Sequence, residues 1–241
     1  MSMRVGLGLS ALVMLAFVPP LAAQRPEQLF PPAEPRGEAG GHLVVAMPVG
    51  EFGDYVDIGG GFAGFGVLYL DPARVVGLRL DGAWLIYGSR TVRRPLSPTV
   101  PFVDVDVTTQ NWIARLGFGP EVALGSGPVR PYLHGSIGFS YFATTTSVEG
   151  SLNTEPFASS TNFDDITFAL AGGGGLRIRL SGARAHRVSL DVGSEYVRNG
   201  RTEYLREGGL RETPGGGVQA EPIRSRTNLV TFYLGVSVGA P

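Results

Sequence analysis

The chain has no cysteine among its 241 residues. That excludes disulfide staples, thiolate nucleophiles and a lipid attached at a cysteine. Lysine is missing as well: all 20 basic residues are arginine, a bias that a GC-rich coding sequence explains as well as a preference for bidentate pairing does. Histidine occurs only at His42, His134 and His186, so imidazole chemistry has few candidates. The formal net charge of −1 leaves no overall field to draw nucleic acid or an anionic surface. After the first segment no long uninterrupted apolar run follows. A spanning helix needs about 20 apolar residues, so a helical membrane protein is excluded.

What is present starts with Arg4, an apolar run from Val5 to Val18, the helix-breaking pair Pro19-Pro20, and Leu21-Ala22-Ala23 ahead of Gln24. A basic start, a short apolar stretch and a small-residue cleavage site read as a secretory signal peptide over residues 1–23; a retained amphipathic helix is the alternative. The next segment, residues 24–40 (QRPEQLFPPAEPRGEAG), is rich in proline and polar residues without any period, and reads as a flexible leader. Residues 41–241 form the expected folded domain. Its 36 glycines, counted over the whole chain, its serines, threonines and aromatics, and its alternating pattern point to an all-β fold.

Eight extended runs are expected, at Gly41–Val49, Gly60–Leu70, Val75–Gly88, Asp104–Leu124, Pro131–Ser147, Ile166–Leu180, Arg187–Val197 and Thr227–Gly239. Their connections alternate. Asp71–Arg74, Gly125–Arg130 and Ser181–His186 are short and carry Gly or Pro where a tight turn needs them. Gly50–Gly59, Ser89–Val103, Val148–Asp165 and Arg198–Arg226 are longer and polar. Three short turns on one side, four long loops on the other and an even strand number match the asymmetry of bacterial outer-membrane barrels, with short periplasmic turns and long external loops.

Successive side chains in a strand point to opposite faces, and the two faces here differ in chemistry. One face carries aliphatic residues and, toward the long-loop end, Trp84, Trp112, Tyr141, Phe168, Tyr196 and Phe232, the positions of an aromatic girdle at a membrane interface; an ordinary aromatic core is the alternative. The other face carries Arg79, Asp81, Arg115, Glu121, Arg177, Arg179, Arg187, Asp191 and Glu195. In a narrow eight-stranded lumen, wide enough only for side chains, these nine charges are expected to pair and plug the barrel, because an unpaired buried charge costs several kcal/mol.

The segments VGEFGDYVDIGGGFAGFGVLYL (Val49–Leu70), NWIARLGFGPEVAL (Asn111–Leu124), GSGPVRPYLHGSIGFSY (Gly125–Tyr141) and the closing strand resemble the small OmpA-type outer membrane β-barrel domain family. The resemblance implies an eight-stranded antiparallel up-and-down transmembrane barrel in the bacterial outer membrane. Members of that family usually close on an aromatic residue, whereas this sequence closes on Val238-Gly239-Ala240-Pro241, with Phe232 and Tyr233 further in.

Other candidate chemistry is sparse. Gly59 to Gly64 matches GxGxxG, but a dinucleotide site needs a strand before it and a helix after it, and here a strand follows. His134 with Ser136 on one strand face lacks an orienting third group. Asp104 and Asp106 supply two carboxylates where Ca²⁺ prefers six to eight oxygens. Arg90, Arg93 and Arg94 in the second long loop, and Arg201, Arg206, Arg211, Arg224 and Arg226 in the last, suit lipopolysaccharide phosphates through charge-assisted hydrogen bonds, or form a solvated loop face. The expected protein is a monomeric outer-membrane barrel surrounded by outer-membrane lipid, with a structural or loop-mediated interaction role, no catalytic residue, no cofactor, no metal and no nucleic-acid partner. The alternatives are a small gated channel or carrier for hydrophobic compounds, a soluble periplasmic lipocalin-like binding barrel, and a lipid-modifying enzyme.

Overall fold

A computed structural model of the chain describes residues 36–97, 100–125, 127–150, 153–181, 187–212 and 218–240. The expected signal peptide lies outside them. Eight strands close into one antiparallel barrel: β1 (Gly37–Pro48), β2 (Gly59–Tyr69), β3 (Val76–Ser97), β4 (Val100–Ala123), β5 (Val129–Gly150), β6 (Asn153–Ser181), β7 (Arg187–Asn199) and, after four short strands described below, β12 (Leu229–Ala240). Each barrel strand pairs with its neighbours along the chain, and β12 returns to β1 in a register that runs from Gly37 opposite Ala240 to Pro48 opposite Leu229. The GxGxxG segment lies within β2, paired on both sides.

The strands are longer than the sequence pattern suggested. β1 begins at Gly37, inside the segment read as leader. Two connections read as polar loops are mostly strand. β3 and β4 stay paired out to Ser97 opposite Val100, and β5 and β6 to Gly150 opposite Asn153. β4 and β5 also pair as far as Val105 opposite Gly150. By contrast, β2 leaves β3 at Gly60 opposite Ile86, and β7 leaves β6 at Asn199 opposite Ala169. A four-stranded sheet therefore rises beyond the closed barrel at the long-loop end. β6 alone has 29 residues, whereas about 9–11 tilted residues cross a hydrocarbon core. Threonines hold the extension: Thr91 bonds Thr108 at 2.9 Å and Thr109 bonds Thr146 at 3.1 Å. Polar β-branched pairs of this kind suit a sheet wetted on both faces, which is why the segment reads as loop when only hydrophobicity is counted.

The last long connection has its own structure. Two small hairpin ladders, β8 (Arg201–Tyr204) with β11 (Ile223–Arg226) and β9 (Leu210–Glu212) with β10 (Val218–Ala220), fold it on itself. In the first long connection a single 3₁₀ turn, Gly50–Phe52, starts from Gly50 at φ 63° and drives Phe52 inward.

At the short-turn end, Asp71 organises its turn. Its carboxylate accepts from Val75 N at 3.1 Å and from Val76 N at 2.7 Å, while its carbonyl accepts from Arg74 N at 3.0 Å. These backbone donors hold the Asp71 carboxyl below the usual aspartate range. The turn needs this help because Arg74 is left-handed, at φ 56°, a conformation that costs a side-chain-bearing residue strain.

Inside, close approach of strands demands glycine at particular places. Gly138 stands opposite Gly117 across β4 and β5, and a Cβ there would fall on the Leu116 carbonyl. Gly66 faces outward, and a Cβ there would meet nothing. Gly138→Ala is therefore expected to destabilise the barrel by about 1–3 kcal/mol, whereas Gly66→Ala is neutral. Urea midpoints of the two variants in one detergent check this; equal midpoints would show that the inner glycines are not steric requirements. For the turn, Asp71→Asn is expected to lower the urea midpoint at neutral pH. A depressed folded-state pKa contributes stability above the ordinary aspartate value of about 3.9 that is lost as pH falls through the lower folded value. The gap between parent and variant should therefore close below about pH 4. A gap that persists in acid would mean that shape, not charge, makes the difference.

Candidate functional site

The interior is layered along the barrel axis. Nearest the short turns, Glu121 is the hub. Arg79 Nη1 donates to its Oε2 at 2.9 Å, and Arg177 donates to Oε1 at 2.6 Å and to Oε2 at 2.8 Å. Arg177 reaches further: its Nε lies 3.4 Å from Glu38 Oε1 and 3.5 Å from Asp191 Oδ2, and its Nη1 donates to Tyr69 Oη at 2.9 Å. Its guanidinium lies over the Tyr132 ring, 4.1 Å from the centroid, while that of Arg79 lies over Phe65 at 4.2 Å. Such stacking matches the planar, weakly hydrated arginine head and not a lysine ammonium.

One layer up, Asp191 accepts from Tyr132 Oη at 2.7 Å and lies 3.1 Å from His42 Nε2. Arg115 forks onto Glu195 at 3.1 and 2.6 Å and also approaches Asp81 at 3.0 Å. His134 Nε2 lies 3.3 Å from Glu195. Tyr132 and Tyr233 join hydroxyls at 2.9 Å. Glu121 and Asp191 are 0% exposed, so only this density of partners makes their burial tolerable.

Above the charges the lumen turns apolar, through Val44, Leu85, Ile113, Val197 and Leu229. It is closed by an aromatic cap of Phe52, Tyr87, Phe142 and Tyr204. Phe52 meets Tyr204 edge-on at 4.9 Å, Tyr87 at 5.7 Å and Phe142 at 6.1 Å. T-shaped contacts at these distances are favourable aromatic geometry. Between cap and charges there remains a cavity of about 30 Å³, room for about one water molecule.

Seven of the nine charges expected in the lumen meet in this network: Arg79, Asp81, Arg115, Glu121, Arg177, Asp191 and Glu195. Arg179 and Arg187 lie half-buried at the short-turn mouth, lining one recess with Arg177 and Glu38 of the network and with Arg130, and Arg179 Nη2 donates there to Gly127 O at 3.5 Å. Alternation puts Tyr132, His134 and Tyr233 on the polar strand face, and the structure buries all three; Glu38, His42, Tyr69 and the aromatic cap are the parts of the interior that sequence reasoning missed. Glu38 was hidden by assigning it to the leader, although it continues the period of two through Gly40 and His42. Phe52 and Tyr204 carry no periodic signal, because each enters from a connection.

The six aromatics expected at an interface all project outward. Trp84 stacks on Trp112 at 3.9 Å, Trp112 meets Tyr141 at 5.5 Å, and Phe139 meets Phe168 edge-on at 6.1 Å. Tyr196 and Phe232 are about half exposed. Of the weaker candidates, Ser136 is buried, and His134 Nε2 is directed to Glu195. Asp106 forks onto Arg93 at 3.0 and 3.2 Å, and this pairing holds the Asp106 carboxyl below its usual range.

No family model and no curated protein matches the chain. Among solved structures, it is similar to Ail, the attachment invasion locus protein of Yersinia pestis, in complex with the heparin analogue sucrose octasulfate. There the identity is 13%, with 84% of this chain and 98% of that one covered and a TM-score of 0.40. It is similar to Neisserial surface protein A at 14% identity, over 84% of this chain and 94% of that one, with a TM-score of 0.41. A major outer membrane protein from Thermus thermophilus aligns at 10% identity over 83% of this chain and 98% of that one, with a TM-score of 0.41.

Removing the hub leaves two buried guanidinium groups facing each other. Glu121→Ala is expected to cost about 3–5 kcal/mol, and replacing Arg79, Glu121 and Arg177 together by apolar residues of similar volume should recover much of it. Urea unfolding in vesicles measures both; a Glu121→Ala variant as stable as the parent would remove Glu121 from the centre of the network.

Proposed function

We propose that this chain is a monomeric protein of the bacterial outer membrane, exported by the signal peptide read at residues 1–23. It crosses the bilayer as a sealed barrel and acts structurally or through its external sheet and loops. One observation carries the reading: the barrel is inside out by the standards of a soluble protein. Leu43 is 74% exposed, Leu133 66% and Ile166 61%, while Arg177 is 2% exposed. An outer face of that composition belongs in hydrocarbon, where every backbone polar group must be paired and a closed sheet satisfies the demand. The lipocalin-like alternative requires the opposite arrangement, an apolar lumen inside a polar exterior.

The long-loop end faces outward in this reading, as in other bacterial barrels. Trp84, Trp112, Tyr141, Phe168, Tyr196 and Phe232 then mark the outer interface, where amphipathic rings settle. The charge network serves as the plug. Among the described residues the cavity left between the charges and the aromatic cap is about 30 Å³, too small for a hydrated ion, which ranks the channel or carrier reading second. An enzymatic role finds no nucleophile assembled with a base among the described residues to support it. Arg201, Arg206, Arg224 and Arg226 lie on the last long connection beyond the closed barrel, where the phosphates of lipopolysaccharide are within reach, whereas Arg90, Arg93 and Arg94 lie out on the sheet as part of its solvated face.

The test combines extraction, gel mobility and conductance. The folded protein should require detergent, should migrate as a compact band that shifts on boiling, and should give no steps in a planar bilayer. Release into buffer by osmotic shock would overturn the membrane reading. Discrete conductance would overturn the sealed plug.

A further inference from the structure

At the top of β7 the outer face of the barrel changes from apolar to cationic within two residues. Tyr196 and Arg198 point outward on the same strand face, about 7 Å apart at the usual rise per residue, and Arg198 lies opposite Leu170 of β6 in the sheet register. Gly200 then turns the chain over Phe168, donating its N–H to the Phe168 carbonyl at 3.0 Å, and β8 begins at Arg201. β11 returns alongside and sets Arg226 directly opposite Arg201. The result is an open groove of about 430 Å³ with Phe168 and Leu170 below and Arg198, Arg201 and Arg226 around it.

The three guanidinium groups have no internal account. All three arginines are exposed. Among the described residues no carboxylate forms a salt bridge with any of them, in contrast to the paired arginines of the lumen and to Arg93 on the sheet. Two carboxylates bond the hairpin that carries these arginines, and both accept from other donors: Glu51 from the backbone N–H of Arg226 at 3.1 Å, and Asp165 from Thr202 Oγ1 at 2.6 Å and Glu203 N at 2.8 Å. Like charges directly opposite in an antiparallel pair destabilise it, so the Arg201–Arg226 pairing works against the hairpin that displays it. The floor beneath is firmly held: Asn199 Nδ2 donates to the Thr227 carbonyl at 2.7 Å, and its Oδ1 accepts from Ser140 at 2.9 Å. Three unpaired cations on a fixed floor, with exposed apolar side chains directly on the hydrocarbon side, match one class of ligand: an anionic headgroup carrying acyl chains.

We propose that this groove binds a phosphorylated acyl lipid of the outer leaflet. Arg198, Arg201 and Arg226 clasp a phosphate through charge-assisted hydrogen bonds, and Phe168 and Leu170 receive the first methylenes of a chain. The proposal rests on the outer-membrane orientation given above and sharpens it: Arg198 belongs to a barrel strand, and the site sits at the membrane interface and not on the distal sheet. The ligand relieves the Arg201–Arg226 repulsion, so binding should also stiffen the last long connection.

The test uses the full-length mature protein in neutral detergent micelles doped with lipid A, the bisphosphorylated acylated disaccharide, or with its dephosphorylated form, and native mass spectrometry as the readout. The parent should retain lipid A and bind the dephosphorylated form at least about tenfold more weakly, the scale of one lost charge-assisted hydrogen bond. Arg198→Gln, Arg201→Gln and Arg226→Gln together should produce a loss of the same order, with the heat-modifiable band intact. Arg90→Gln, Arg93→Gln and Arg94→Gln on the distal sheet should leave binding unchanged. Should the groove triple variant fail to give the compact band, Arg198→Gln alone, on a strand end held by register, carries the test with an expected loss of severalfold. Equal binding by the groove variants, equal binding of the dephosphorylated lipid, an equal loss in the distal variants, or displacement of lipid A by millimolar inorganic phosphate would each overturn the site. A protein that needs no detergent would instead overturn the orientation on which the site depends, and the gel assay separates the two failures.

Discussion

Closure of the sheet between β1 and β12 is the constraint from which the rest of this molecule follows. A strand edge offers a row of unpaired N–H and C=O groups, and in an apolar solvent each of these costs several kcal/mol. The twelve paired positions from Gly37 opposite Ala240 to Pro48 opposite Leu229 remove that edge. Once the cylinder is closed with eight strands, its bore is set, and side chains must fill it. The outer face is then free to be apolar, because nothing on it has to make a hydrogen bond.

The narrow bore explains why the interior is built from arginine, carboxylate and tyrosine together. Each guanidinium is planar and presents several donors in a fixed fork, so one Arg177 serves Glu121, Glu38, Asp191 and Tyr69 from the middle of the lumen. Tyrosine fills width with an apolar ring and ends in a group that the carboxylates can use, as Tyr132 does between Asp191 and Tyr233. Inward glycines such as Gly117 and Gly138 sit where the coiled strands approach too closely for a Cβ. Side-chain size and charge therefore divide the work, the large polar groups sealing the space that the glycines allow the sheet to close around.

Beyond the closed cylinder the physical problem changes. β3 to β6 continue as a sheet wetted on both faces, held by threonine pairs and by Arg93 on Asp106, while the first and last connections turn inward to cap the lumen with Phe52 and Tyr204. The end of β7 and the last connection leave Arg198, Arg201 and Arg226 exposed beside Phe168 and Leu170. One end of the barrel thus carries an aromatic seal on its axis and, on its rim, three arginines that form no salt bridge among the described residues, the separation on which the proposed lipid site rests.

Much of this was readable in the amino-acid order. The period of two separated Leu78, Leu80, Trp84 and Ile86 from Arg79 and Asp81, and the same alternation in the other strands told which side chains share a face; the spacing of short turns told how many strands there are. Alternation could not tell which face is the inside, since a membrane barrel and a soluble one differ only in that choice, and it stopped β3 to β6 short because polar β-branched strands have no hydrophobic signal. By itself the sequence determined the eight-strand alternation and the pool of charges available to pair. Only the tertiary structure decided which arginine meets which carboxylate, that Phe52 and Tyr204 close the lumen and that Arg201 faces Arg226, because those contacts join residues far apart in the chain and depend on the register in which strands are laid side by side.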